Sequence, residues 1–540
     1  MRNVLTWSFQ KVRSEQAERA ATPVAPPTLD SSADKMSESS LPTEPADAPD
    51  SSAPPPASNC KLLTKILLGA LPMILVQCAV QLVLILTVMR LGRESADWLA
   101  GASLGALVFN ICGLMLATAP NLAMDSVAPQ AFGSGNHAEV GLAAQRCVLT
   151  AFLFLTPAVA VWIFAEPALR ALGQPPAAAR LASQFLQLSI PAIAASACFE
   201  AARKFLYAQD VLAPPLYAAL TGLLLLPLWQ ALLVRAFGFA GGVLAMVATH
   251  VTMCTVLLAH CAIFRPFLPA TWPGWSLRRL LRDRRAACKF VGLSAAALLS
   301  LSEWLFWEFV CFRVGRFGPL PLAVHGTAYS LLPLLYMVPL GLTIGLSIGV
   351  GQKLGAGAVR EAKRLVAMTL TVGLIIISAL SLCTYLGRAL ILRCYTADAD
   401  VIAGAELIWP WLCVDLCFDN SFAMLSGLNR GLGLQRRSAI AIVLVLWPIG
   451  LPLIAFGATS VLGVWRLMPL IYATVDVCQI ACFSCASWAK LAEAIQMEAR
   501  LAPGGGSGTC SSTDSSSIEH VSATSTSSMA EKKAAEVEVA

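Results

Sequence analysis

The chain has 540 residues, of which 57% are hydrophobic and 13% charged, with a net charge of +6. Soluble domains carry about 25% charged residues, so a water-soluble globule, a disordered protein, a collagen-like chain and a small disulfide scaffold are excluded and a multi-pass membrane protein remains. The positive balance reads as orientation charge; no basic face interleaved with aromatics points to nucleic acid.

Residues 1–60 are rich in Ser, Pro, Ala and Asp, show no apolar period and read as a disordered cytosolic tail. The basic start, MRNVLTWSFQKVR, is soon followed by Glu15 and Glu18, which favours a plain tail over a transit peptide. Apolar segments of about 20 residues then recur, each long enough for a hydrocarbon core of roughly 30 Å. They fall near 62–89, 98–121, 142–165, 178–204, 211–234, 240–264, 288–312, 320–348, 365–387, 400–425, 437–458 and 460–488. The longest polar break, 265–288, holds Arg278, Arg279, Arg282, Arg284 and Arg285. It is expected to be a basic linker between an N-lobe over 61–264 and a C-lobe over 289–490, with a second disordered tail over 491–540. The fold class is therefore all-α and integral to the lipid bilayer, with twelve transmembrane helices in two six-helix lobes.

Basic residues follow the even-numbered spans: Arg203 and Lys204, the Arg278 cluster, Lys353 to Arg364, and Arg430, Arg436 and Arg437. Loops after odd spans hold fewer, so both termini are expected in the cytosol. Arg313, Arg316, Arg388 and Arg393 lie on the other side, and the bias is not absolute. The membrane itself, plasma or organellar, is left open.

The halves resemble each other. Gln130, Gly133, Gly135 and Glu139 fall on Gln352, Gly355, Gly357 and Glu361 at one constant offset. Cys198-Phe199-Glu200 falls on Cys417-Phe418-Asp419 at nearly the same one. Two matches at corresponding depths point to a duplicated six-helix unit, and parallel repeats of this kind mark a class of secondary transporters with cargo handled between the lobes.

A carboxylate at bilayer depth is costly unless it meets a partner or a wet cavity. Glu303 and Glu308 lie in span seven, Asp415 and Asp419 in span ten, Glu200 near the end of span four, and Asp476 in span twelve. Glu303 and Glu308 are about 140° apart around a helix and can flank one cavity. Trp304 and Trp307 lie between them, and aromatic faces beside carboxylates suit an organic cation. Asp415 and Asp419 share a face. A carboxyl group gains or loses its proton as its hydration changes, which is what proton exchange requires. Glu200 can instead pair with Arg203 or Lys204, and Asp476 with Arg466 or another helix.

The 17 cysteines sit mostly in apolar runs and read as core. Cys478, Cys482 and Cys485 have a cluster-ligand spacing but lie within an apolar helix, which argues against a cluster. The five histidines (137, 250, 260, 325, 520) form no metal motif, so neither an enzyme nor a cofactor is expected. A channel or receptor is the remaining competitor, and concentrative transport would separate it from a carrier.

Four blocks resemble the multidrug and toxic compound extrusion (MATE) family, in its eukaryotic branch. MDSVAPQAFGSGNHAEVGLAAQR (Met124 to Arg146) is similar to the family's D-x-x-x-x-Q-A-x-G-A segment, and Glu303-Trp304-x-x-Trp307-Glu308 to E-W-x-x-Y/W-E. YMVPLGLTIGLSIGVGQKLGAGAVREAKR (Tyr336 to Arg364) resembles Y-M-x-P-L-G…R-V-G-N-x-L-G-A-G, with Gly349 and Gln352 in place of the usual Arg and Asn. DNSFAMLSGLNRGLGLQ (Asp419 to Gln435) resembles D-x-x-Q-x-x-L-S-G-x-x-R-G-x-G-x-Q, and FEAARKFLYAQ in span four adds a fungal-type block. The resemblance covers residues 62 to about 488.

It implies an antiporter that exports a small organic solute in exchange for protons, with sodium as the alternative coupling ion, working as a monomer. The family's span-seven glutamates carry over to Glu303 and Glu308, its span-ten acid to Asp419, and its span-two asparagine to Asn110 in FNICG. Tyr336, in a matched block, is a further binding candidate beside Trp304 and Trp307, with Glu200, Asp415, Gln130 and Arg430 secondary. Residues 62–89 contain no Asp or Glu, so coupling is expected in the C-lobe. The alternative within the superfamily is a lipid-linked sugar flippase; its pyrophosphate cargo would favour a cationic cavity, which an acidic span seven opposes.

Overall fold

Side-chain caps open several of the long helices. Ser95 accepts from the Trp98 amide, Asp283 from Ala286, Asp398 from Asp400 and Val401, and Ser460 from Gly463. Each satisfies an amide that the first helical turn leaves unpaired. The computed structural model describes residues 59–396 and 398–501. Among them eleven helical stretches are long and apolar enough to cross a membrane, and one bent pair makes a twelfth. Spans one to six are Ile66–Gly92, Ala96–Gly133, His137–Ile163, the pair Pro176–Leu188 and Ile190–Tyr207, Ala213–Phe237 and Phe239–Phe264. Spans seven to twelve are Arg284–Gly315, Pro319–Gly355, Val359–Leu386, Ala399–Gly431, Gln435–Gly457 and Val461–Ser484. No strand occurs among the described residues.

The breaks in these spans have local causes. Span four bends by 44°. There the Ser189 hydroxyl donates to the Phe185 carbonyl at 2.6 Å, and Pro191 just beyond has no amide to continue the ladder. Span two carries a π-helical turn over Asn110–Leu114, and span eight breaks at the corresponding depth, between Tyr329 and Leu332. Span seven breaks at Leu301, between Arg284–Ser300 and Ser302–Gly315. Glu303 therefore stands in the first turn of a new helix, where the positive end of the helix dipole favours a carboxylate.

Spans two and eight make the closest inter-lobe approach. A Cβ on Gly133 would lie 2.0 Å from the Gln352 carbonyl oxygen, and one on Gly355 would lie 2.3 Å from that of Gln130. Gln130 and Gly133 correspond to Gln352 and Gly355 in the sequence repeat. Gly133 thus meets the counterpart of Gln130, and Gln130 meets the counterpart of Gly133, which is the pattern of a two-fold contact.

Two boundaries differ from expectation. The linker expected over 265–288 is shorter and partly helical, because Asp283 caps span seven at Arg284 and Leu277–Arg282 forms a turn and a half of its own. The tail expected from 491 begins later, since Trp488–Leu501 is helical. That segment is amphipathic: Trp488 and Ala492 are buried against Leu346, Leu354 and Leu428, while the Lys289 ammonium donates to both Glu498 oxygens at 2.8 Å. The remainder of both expected tails, 1–58 and 502–540, lies outside the described residues.

Candidate functional site: an acidic cluster in the C-lobe

Glu303 is 8% exposed and is held by two donors from the aromatic core. The Trp307 indole N–H, one helical turn on, donates to Oε1 at 3.0 Å, and the Tyr472 hydroxyl from span twelve donates to the same oxygen at 2.8 Å. Trp307 stacks on Tyr329 with ring centroids 5.5 Å apart, and the Tyr329 hydroxyl donates to Glu308 at 3.3 Å. The two glutamates of span seven are thereby joined through a stacked indole and phenol rather than by direct contact. His325 stacks on Tyr329 at 5.7 Å and faces the Cys311 thiol at 3.2 Å.

Span ten adds Asp415 and Asp419, fully buried and 5% exposed. Asp419 interacts electrostatically with Glu303, Asp415 and Asp476, and Tyr472 interacts with Glu303, Asp415 and Asp419. Neither oxygen of Asp415 has a hydrogen-bond partner among the described residues, and Oδ1 of Asp476 also lacks one. Glu303, Asp415, Asp419 and Asp476 form no ion pair among the described residues. A buried acid without a cation is costly as a carboxylate and stable as a neutral acid or against a cationic guest.

The N-lobe contrasts with this. Glu200 is paired with Arg203, whose guanidinium also donates to Gln77 at 2.6 Å. Lys204 does not join Glu200 as its nearest anion; its ammonium sits 2.5 Å from Asp125 in span two. Arg430 approaches Asp125 from the C-lobe at 3.9 Å, the Ser126 hydroxyl donates to the Arg430 carbonyl at 2.6 Å, and the Gln130 amide donates to that of Gly431 at 2.9 Å.

Of the residues singled out in the sequence, the structure brings Glu303, Asp415, Asp419 and Trp307 into one C-lobe cluster, with Tyr336 in electrostatic reach of Glu303 and Asp419. Glu308 borders it through Tyr329. Gln130 and Arg430 lie instead at the lobe contact, and Glu200 in its N-lobe pair. Asn110 lies on the π turn of span two with a buried Oδ1 that has no partner among the described residues. Trp304 packs against the separate cluster of Met115, Ala119, Ala297 and Leu301. Asp476 does not meet Arg466, whose guanidinium lies 5.7 Å from the Trp411 ring centroid. Asp125, Tyr472 and Tyr329 were not anticipated. Asp125 stands at the head of a quoted motif but past the expected end of span two. Tyr472 and Asp476, one turn apart in an apolar run, were a usable sign of a polar face.

Two six-helix lobes meeting at a two-fold contact, with an acidic cluster in one of them that forms no ion pair among the described residues, fit a membrane transporter. The MatE family model matches residues 72–230 and 295–456, and the chain belongs to that family. It is 27% identical over 446 residues to multidrug and toxin extrusion protein 1 of Oryctolagus cuniculus, covering 81% of this chain and 78% of that protein. The corresponding protein of Xenopus tropicalis is 29% identical over 405 residues, covering 73% and 69%. In three dimensions the chain superposes on the eukaryotic MATE transporter AtDTX14 with a TM-score of 0.75 at 21% identity, covering 81% of this chain and 99% of that one. Against the bent form of Vibrio cholerae VcmN the TM-score is 0.69 at 15% identity, covering 81% and 98%.

Proposed function

We propose that the protein is a secondary antiporter that exports a small organic cation in exchange for protons. The observation that carries this reading is the set of four buried acids, Glu303, Asp415, Asp419 and Asp476, without an ion-pair partner among the described residues. Such a site is compensated by protons, by a cationic guest, or by water, and exchange between the first two is antiport. The aromatic surround of Trp307, Tyr329 and Tyr472 supplies faces and hydroxyls for an organic cation. The names of the relatives, multidrug and toxin extrusion proteins, support a broad organic cargo.

The even-numbered spans end at the cytosol, as the basic residues there favour. The lobe contact at Gln130 and Gln352 then closes the cytosolic end. Rocking of the lobes about that contact exposes the acids alternately to the two sides. An anionic pyrophosphate lipid fits poorly beside four acids, so the flippase reading is not favoured. Glu303, Glu308 and Asp419 are the residues on which the coupling rests, with Asp415 and Tyr336 beside them.

The test is tetraethylammonium movement in proteoliposomes under an imposed pH gradient, with a sodium gradient as control. Wild type is expected to drive the cation uphill with pH alone, and Glu303→Gln to reach the membrane yet lose the drive. Uphill transport by Glu303→Gln, or drive by sodium only, would contradict the assignment.

A further inference from the structure

Asp125 stands where the lobes meet and has a cation on each side. Lys204 of its own lobe is 2.5 Å from Oδ1, and the Arg430 Nε of the other lobe is 3.9 Å from Oδ2. All three are buried, Asp125 at 2% exposure and Arg430 at 8%. The Lys204 pair is internal to the N-lobe and survives any rigid movement between lobes. The Arg430 pair does not. Neither Oδ2 of Asp125 nor Nε of Arg430 has a hydrogen bond among the described residues, so their attraction is purely coulombic and easily tightened or released. The repeat adds a second argument. The counterpart of Asp125 is Ser347, which donates to the Asp125 carbonyl at 3.4 Å. A two-fold contact thus carries this charge in one copy only, where packing alone would not require it.

On its own helix the Arg430 guanidinium donates through Nη1 to the Ser426 hydroxyl at 3.1 Å. The charged neighbours of Asp125 are Lys204 and Arg430, and those of Lys204 include Glu200 and Arg203 as well. Arg430 is therefore the one of these cations that pairs across the lobe contact.

We propose that Asp125 and Arg430 form a latch that holds the ends of the even-numbered spans together. They are positioning residues and need not touch cargo. Loss of either charge leaves the other buried without its inter-lobe partner and favours separation of the lobes at this end.

Ser134 provides a reporter, because it is half-buried at the lobe contact, with its amide nitrogen 2.9 Å from where a Cβ of Gly355 would sit, so separation of the lobes exposes a thiol there further. In full-length protein carrying Ser134→Cys, alkylation of that thiol by N-ethylmaleimide is read by peptide mass. The rate is expected to rise roughly three-fold or more in Asp125→Asn and in Arg430→Gln, and to fall back in Arg430→Lys. Unchanged rates overturn the latch. A parallel rise at buried Cys254, in span six, marks general loosening and counts against it too. Labelling needs no transport, so its outcome stands apart from the exchange reading. Failure of that reading would appear separately, as absent proton-driven uptake.

Discussion

Glu200 and Asp419 occupy the same place in two copies of one motif, Cys-Phe-Glu and Cys-Phe-Asp, and the structure treats them in opposite ways. In the N-lobe the residues three and four further on are Arg203 and Lys204, and each holds a carboxylate. In the C-lobe the same two positions are Phe422 and Ala423, and Asp419 is left among other acids. The backbone is duplicated and the charge balance is not. A paired buried charge is fixed structure; an unpaired one is free to take up a proton or a cationic guest. The comparison therefore separates, at the level of two side chains, a lobe whose charges are paired from one whose buried acids form no ion pair among the described residues.

The largest effect is expected from giving the C-lobe the arrangement of the N-lobe. Phe422→Arg places a guanidinium one turn from Asp419 and should reduce proton-driven exchange at least roughly ten-fold in proteoliposomes, since a permanent cation replaces the exchangeable one. Retained exchange would break the comparison. The reverse change in the N-lobe should act on stability. Arg203→Ala leaves the half-buried Glu200 without its partner and should lower unfolding stability by about 1–3 kcal/mol. Replacing both partners with Met should recover most of that loss, because an apolar pair needs no compensation. Thermal or denaturant unfolding in detergent checks both. The smallest effect belongs to the exposed pair between Lys289 and Glu498: Lys289→Ala should cost about 1 kcal/mol or less and leave exchange intact.

Much of this was legible in the sequence. The spans follow from long apolar runs, the repeat from two motifs at nearly the same offset, and the acids from their rarity in lipid. Glu200 beside Arg203 is a one-turn pair that helical spacing already allows. Other features were set by how helices turn against one another, which spacing does not record. Trp304 and Trp307 are equivalent in the motif, but only Trp307 lies on the face of span seven that meets Tyr472 and Tyr329. Asp476 joins the acids through the orientation of span twelve. Asp125 escaped notice because hydropathy falls after residue 121, while the helix itself continues to Gly133. Lys204, adjacent to Arg203 in sequence, finds its anion in another helix. The helix Trp488–Leu501 reads as a polar tail until its apolar stripe is seen against Leu354 and Leu428.

The division of labour between the lobes is tested most directly by counting protons released when tetraethylammonium binds to purified protein, from calorimetric titrations in buffers of different ionisation enthalpy. Release is expected in wild type and in Glu200→Gln, and is expected to vanish in Asp419→Asn. Release that disappears in Glu200→Gln while persisting in Asp419→Asn would contradict the account.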